Sequence, residues 1–179
     1  MLRNAKKKQW SKPVLGFCAY SGTGKTTLLS RLIPILDDRG IKVGVIKHAH
    51  HEFEMDREGK DSFRFRQAGA GEVLVASSRR WVLLHENAVE AEPDPGELLQ
   101  RMNLDHLDLV LVEGFKHHQL PKIELHRPAM GRDRLHPGLP GIIALASDEP
   151  LSEKGDLPCL DLNQPEKITD FIISWMESD

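Results

Sequence analysis

The segment Ser21-Gly22-Thr23-Gly24-Lys25-Thr26-Thr27 directly follows the apolar run Val14-Leu15-Gly16-Phe17-Cys18-Ala19-Tyr20. A strand that breaks into a Gly-rich turn, ends in Lys-Thr and opens a helix has the pattern of a phosphate-binding loop. Glycines let successive backbone N–H groups converge on a phosphate, and the new helix adds its positive N-terminal end. In that pattern Lys25 reaches the β- and γ-phosphates and the Thr26 hydroxyl holds Mg²⁺. Ser21, Gly22, Thr23, Gly24, Lys25, Thr26 and Thr27 are therefore candidate binding residues for a nucleoside triphosphate. The chain departs once from G-x-x-x-x-G-K-[ST], with Ala19 in the place of the first glycine. Alanine adopts most backbone conformations that do not need a positive φ, so binding is expected to survive.

A length of 179 residues suits one domain with its own core. The expected division is a basic, disordered tail over 1–12 and a single nucleotide-binding domain over 13–179. A net charge of −3 argues against a nucleic-acid partner, since no global positive field would hold a phosphate backbone. Only two cysteines occur, and Cys18 falls in an expected buried strand, which suits a reducing compartment. The basic N-terminus leads into no apolar stretch of signal-peptide length, and no segment approaches the roughly 20 apolar residues of a membrane span. A cytoplasmic protein is expected.

Leu28, Leu29, Leu32, Ile33 and Leu36 fall at helical spacing over Lys25 to Arg39, with Gly40 as the stop. Ile41 to Lys47 reads as a second strand, making a βαβ unit. Asp61 is placed to N-cap a helix running to about Ala68. Glu72–Ala76 and Trp81–His85 read as a hairpin that adds antiparallel strands to the sheet. A short helix is expected over Gly96 to Met102. Leu107 to Gly114 is a near-continuous apolar run, as in a central strand covered on both faces. Lys122–His126 alternates and suggests an edge strand. Arg127 to Pro140 reads as a mobile loop, Gly141–Ala146 as a buried strand, and Leu157–Leu162 as a short one. Ile168, Phe171, Ile172 and Trp175 stripe a C-terminal helix. The fold class is α/β: a three-layer α/β/α arrangement of the P-loop NTPase type, with a mostly parallel central sheet and an added antiparallel hairpin.

Glu113 ends the apolar strand, where nucleotide-binding sheets place an acidic residue against the metal. It is a candidate for holding a Mg²⁺-bound water or orienting the attacking water, and with Lys25 it forms the candidate catalytic pair. Gly59-Lys60-Asp61-Ser62 follows the long loop after the second strand, the usual place for a group that senses the γ-phosphate and Mg²⁺. The candidate metal residues are thus Thr26, Asp61 and Glu113, although a helix cap accounts for Asp61 equally well. Asp148, after the Gly141–Ala146 strand, is placed to accept from the N1–H and N2–H of guanine, a donor pair that adenine lacks; an Asx-turn explains it too. His48, His50 and His51, with Asp56, His117 and His118, form a polar cluster without the tight spacing of a structural zinc site.

Ala-Tyr-Ser-Gly-Thr-Gly-Lys-Thr-Thr-Leu-Leu (19–29), Ile-Lys-His-Ala-His-His (46–51), Gly-Lys-Asp-Ser (59–62), Arg-Gln-Ala-Gly-Ala (66–70), Val-Glu-Gly-Phe-Lys (112–116) and Ala-Ser-Asp-Glu-Pro (146–150) occur in order. Together they resemble the MobB family of molybdopterin-guanine dinucleotide biosynthesis proteins, from about Leu15 to the C-terminus. The resemblance implies a P-loop GTPase-like fold, usually dimeric, that binds GTP with Mg²⁺ and hydrolyses it weakly. It also implies an adapter role beside the molybdenum cofactor guanylyltransferase, the enzyme that joins GMP to molybdopterin. Carried over by position, Gly22 to Thr27 hold the nucleotide and Glu113 lies near the metal. Gly114, Phe115 and Lys116 of the family's Glu-Gly-Phe-Lys segment join the nucleotide-binding candidates. The basic N-terminal extension has no counterpart in the resemblance. Arg127, Arg132 and Arg134 suit an anionic pterin phosphate or a partner.

The sequence holds no recognisable arginine finger or water-positioning glutamine, so hydrolysis of order 10⁻⁴ to 10⁻² s⁻¹ is expected, as in a switch or adapter. Arg57, Arg64 or Arg66 would complete the site from a second subunit. Two other readings compete. One is a metallochaperone GTPase using His48, His50 and His51; the other is a small-molecule kinase with the Arg127–Arg134 loop as its lid.

Overall fold

The strand Leu109–Glu113 (β5) is apolar at every position but the last, and the reason is that both its faces are covered. In the computed structural model, which describes residues 10–49, 56–150 and 155–178, Leu109 and Leu111 point to one side and Val110 and Val112 to the other. The first side packs on two helices, Lys25–Asp38 (α1) and Pro165–Glu177 (α4). It is filled by Leu28, Leu29, Leu32 and Leu36 of α1 and by Ile168 and Ile172 of α4. The second packs on Leu99 of a short helix, Pro95–Arg101 (α3), whose N-cap Asp94 accepts from the amides of Gly96 and Glu97. Helices on both faces of a sheet give the expected three layers.

The remaining strands are β1 (Val14–Cys18), β2 (Val43–Lys47), β3 (Glu72–Ala76), β4 (Trp81–His85), β6 (Lys122–His126), β7 (Ile142–Ser147) and β8 (Cys159–Asp161). Six of the eight strands form one sheet in the order β2-β5-β1-β6-β7-β8, and every pairing in it is parallel. The described residues group into two compact units. The larger holds this sheet and comprises the described chain up to His48 and from Asp94 on. The second, within residues 49–93, holds helix α2 (Asp61–Gln67) and the β3–β4 hairpin. The hairpin forms a two-stranded sheet of its own and does not extend the parallel sheet. Its strands fall where the alternation predicts, but each finds its partner in the other.

Strand β6 is a correction of a different kind. The alternation of Lys122 and Glu124 with Ile123 and Leu125 suggests an edge, yet β6 lies between β1 and β7 and both polar residues are buried. Burial is tolerated because each is satisfied. Lys122 Nζ donates to the His118 carbonyl. Glu124 accepts from the amides of Leu135 (2.6 Å) and His136 (2.8 Å). Those two bonds also tie down the loop after β6, which contains a 3₁₀ turn, Pro128–Met130. Burial pushes the neighbouring Cys18 thiol up to about 12, assisted by Glu124.

The Lys122 stem crosses β1 at Gly16. A Cβ on Gly16 would lie 2.5 Å from Leu120 Cδ1 and 2.7 Å from Lys122 Cγ, too close for either to remain in place. Gly16→Ala is accordingly expected to cost about 1–3 kcal/mol by overpacking, read as a lower midpoint in urea denaturation. An unchanged midpoint would show that β1 and the Leu120–Lys122 segment are not in such close contact.

Candidate functional site

Strand β1 delivers the chain to the C-terminal edge of the sheet, where it turns through Gly22 (φ 80°) and Gly24 (φ 100°) and enters α1. Gly24 is the N-cap in the left-handed region, which a residue with a Cβ rarely adopts. The first turn of α1 carries no acidic side chain of its own to offset the positive end of the helix. Thr23 is buried, and its hydroxyl donates to the Tyr20 carbonyl at 2.9 Å. Lys25 folds back over the loop, donating to the carbonyls of Ala19 (3.2 Å) and Tyr20 (3.1 Å). Ala19 is not among the positive-φ residues, so the loop closes without the usual first glycine.

Parallel pairing decides what stands beside this loop. Glu113 is the register partner of Phe17 on one side and of Lys47 on the other. Its carboxylate, nine-tenths buried, accepts from the Thr26 hydroxyl at 3.0 Å and lies 3.6 Å from the Lys47 ammonium. Beyond it the chain turns sharply through two left-handed residues, Gly114 (φ 99°) and Phe115 (φ 50°). The Phe115 ring stacks on His48 at 4.5 Å and meets the His118 ring edge-on at 5.3 Å.

Burial lowers the Lys25 ammonium below its ordinary range. Glu113 opposes that shift, and the charges of Lys116 and Lys47 reinforce it. Lys47 thus pairs with the Glu113 carboxylate, and Glu113, Lys47 and Lys116 all act on Lys25, a local cluster of cations within a chain of net charge −3. A hydroxyl and a carboxylate are hard oxygen donors of the kind Mg²⁺ takes, with ligand phosphates and water completing its shell. Thr26 and Glu113 fit that role.

Two further candidates arrive on neighbouring strands. Asp148 follows β7 and pairs through Oδ2 with Arg127 Nη1 at 2.5 Å. Arg127 Nε also donates to the Thr23 carbonyl at 2.8 Å. Met130 Sδ lies 3.6 Å from the Thr23 hydroxyl, and the Arg132 guanidinium lies over the Tyr20 ring at 5.8 Å. The loop after β6 is therefore docked on the Gly-rich loop between β1 and α1.

Gly59, Lys60, Asp61 and Ser62 belong to the second unit. Lys60 occupies the N-cap position of α2, and Asp61 is its first helical residue, an exposed carboxylate 4.0 Å from Arg64. The cap expected of Asp61 is therefore displaced by one residue. The Ser62 hydroxyl donates to Asp56 at 2.8 Å, and Arg66 pairs with Asp56 and Glu86. His50 and His51 lie outside the described residues. Among the described residues no group of three or more His, Cys, Asp or Glu is disposed to hold a metal ion. Likewise, no helix among them is long and apolar enough to cross a membrane. Sequence reasoning missed Lys47 as the companion of Glu113. It also missed Glu124 as the anchor of the arginine loop, where the signal was a carboxylate within an otherwise apolar strand.

The family model described as MobB, molybdopterin guanine dinucleotide synthesis protein B, matches residues 14–148. The chain belongs to the MobB family. It is 48% identical over 172 residues to the molybdopterin-guanine dinucleotide biosynthesis adapter protein of Escherichia coli (strain K12), covering 92% of this chain and 94% of that one. The adapter protein of the same description from Haemophilus influenzae is 44% identical over 168 residues, with 92% and 89% covered. Among solved structures, a crystal structure of molybdopterin-guanine biosynthesis protein B superimposes with a TM-score of 0.72 at 28% identity. It covers 90% of this chain and 99% of its own. Bacillus subtilis MobB also gives a TM-score of 0.72, at 24% identity, with 93% of this chain and 99% of its own covered, and supports the fold.

Because burial lowers Lys25 and a polyanion would raise it again, inorganic triphosphate is expected to bind with uptake of protons at alkaline pH, between the lowered and the restored lysine value. Affinity should fall as pH rises through the lowered Lys25 value, where the binding-competent ammonium is lost. Calorimetry in buffers of different ionisation enthalpy reads the uptake directly. Lys25→Arg, charged throughout this range, should abolish it. Uptake that persists in that variant would assign the proton to another group.

Proposed function

We propose that this protein binds GTP with Mg²⁺ in the site built from Gly22–Thr27 and Glu113, hydrolyses it slowly, and acts as an adapter in molybdopterin guanine dinucleotide biosynthesis. The observation that carries the nucleotide reading is the Thr26–Glu113 contact next to a left-handed Gly24, with Lys47 paired to Glu113 and Lys25 under the charges of Glu113, Lys116 and Lys47. Two acceptors of opposite origin, one on the loop and one on the adjacent strand, converge where a phosphate-bound metal needs them. Lys25 supplies the charge for the β- and γ-phosphates, and Lys116 and Lys47 extend the field. No described side chain beside the loop resembles a water-positioning glutamine, which fits turnover of order 10⁻⁴ to 10⁻² s⁻¹. The adapter role is that of the related biosynthesis adapter proteins; the working partner would be the guanylyltransferase that joins GMP to molybdopterin.

Asp148 is the base-recognition group in this reading. Its Oδ1 is buried and accepts no hydrogen bond from the described residues, while Oδ2 is held by Arg127. Guanine N1–H and N2–H would supply the missing donors.

Calorimetric titration with GTP, ATP and GDP, each with Mg²⁺, tests the proposal. GTP is expected to bind better than ATP, and Lys25→Ala should abolish binding. Asp148→Asn should cut the preference for GTP over ATP by about tenfold or more, the range for leaving a buried recognition group mismatched. Equal affinity for ATP and GTP in the unaltered protein would remove guanine specificity, and no binding would remove the nucleotide reading altogether.

The family's expected homodimer has a surface in the β3–β4 hairpin. Leu74 and Trp81, 61% and 66% exposed, lie with Leu83 on one face of it. Among the described residues β3 and β4 pair only with each other. A lone two-stranded sheet is marginal in water and gains from an added apolar layer. A second copy of the chain presents a matching face about a two-fold axis. Trp81→Glu should shift the sedimentation coefficient from dimer to monomer; a protein that is monomeric before substitution would exclude this interface.

A further inference from the structure

Strands β6 and β7 run parallel with His126 beside Ser147, so the residues that follow, Arg127 and Asp148, leave the sheet as neighbours. They do so at the same edge from which β1 sends out the phosphate loop. Arg127 uses two arms there. One meets Asp148 Oδ2 and the other donates to the Thr23 carbonyl. The guanidinium is a rigid plane, so the two contacts are set together and neither moves alone.

The Thr23 contact has a consequence on the far side of the peptide. A trans peptide is planar, with its C=O and N–H pointing in opposite directions. Holding the Thr23 carbonyl against Arg127 therefore turns the Gly24 N–H the other way, away from Arg127. Gly24 has no side chain to oppose this arrangement; a Cβ there would lie 3.4 Å from Arg127 Nη2. The loop that carries Arg127 is fixed at its other end by Glu124, through the amides of Leu135 and His136. Arg127 is thus held at both ends of its own loop and bridges two others.

We propose that Arg127 is a positioning residue that couples Asp148 to the Gly24 amide of the phosphate cradle, so that occupancy of the base-recognition carboxylate tightens the grip on phosphate. The inference rests on the nucleotide reading above and adds to it an energetic link between the two halves of the ligand. Asp148 Oδ1, buried and without a donor, is the end of the link that a base would engage. Asp148 Oδ2 and the Thr23 carbonyl are the other joints.

The decisive probe is inorganic triphosphate with Mg²⁺, a ligand that has no base to touch Asp148. Coulomb's law alone says that removing a nearby carboxylate charge strengthens binding of a polyanion. The coupling predicts the opposite: Asp148→Asn frees Arg127 and weakens triphosphate binding by about fivefold or more. In an Arg127→Gln background the same Asp148→Asn change should no longer weaken it. Arg127→Lys keeps the charge and guards against loss of folding. It should still weaken triphosphate binding, because one ammonium cannot hold both acceptors in a fixed fork. Full affinity in Arg127→Lys, or a stronger affinity in Asp148→Asn, overturns the coupling. Equal weakening by Asp148→Asn in both backgrounds also overturns it. A parent protein that binds neither GTP nor triphosphate overturns the nucleotide reading instead, so the two failures are distinguishable.

Discussion

Parallel pairing of β1 with β5 and β6 is the constraint on which the rest of the site depends. Parallel strands end on the same side, so whatever follows β1 meets whatever ends β5 and whatever follows β6. Phe17 opposite Glu113 and Cys18 opposite Glu124 fix that alignment to the residue. A slip of one residue in β5 would turn Glu113 to the other face of the sheet and separate it from Thr26. Packing resists the slip, since Leu109 and Leu111 belong to one core and Val110 and Val112 to the other.

Charge is distributed unevenly for a reason that follows from this geometry. The chain as a whole is slightly acidic, but three of its cations, Lys25, Lys47 and Lys116, lie where strands β1, β2 and β5 finish. Lys25 is partly stripped of water there, and two further ammonium groups make its own charge more costly. Such an arrangement strains the free protein and is relieved by an anion. Lys122, lowered by burial as well, has a different purpose. It caps the His118 carbonyl in the connection between β5 and β6 and touches none of the loop groups around Lys25 in the contacts described above.

Much of this could be read from the chain alone, and the reasons for the exceptions are physical. The Gly-rich turn into α1 and the place of Glu113 at the end of β5 were legible because a Gly-rich turn after an apolar run and a carboxylate ending another are local patterns. Helices α1 and α4 announced themselves by apolar spacing. Strand β6 was also found at its bounds, but not its interior place in the sheet, because alternation reports only how many faces are apolar. It cannot reveal that Lys122 and Glu124 are buried with partners from segments 118 and 135–136. The hairpin's strands were placed correctly, but which sheet they would join depends on contacts distant in sequence. Lys47 and the double contact of Arg127 were invisible for a similar reason. Their roles come from strand register and from a loop docking on a loop, neither of which has a sequence period.

The aromatic stack behind the site bears on how the chain is assembled from modules. His48, the last residue of the larger unit before the second begins, stacks on Phe115. Asp94, the first residue after the second unit ends, lies 3.8 Å from His118, which packs edge-on against that same Phe115. The points of departure and return are therefore joined through one ring. A segment whose two ends are already held close adds little closure entropy, whatever its length. The parallel sheet thus closes across the gap between His48 and Asp94 through its own residues, and a change in the length of the intervening chain need not re-lay its strands.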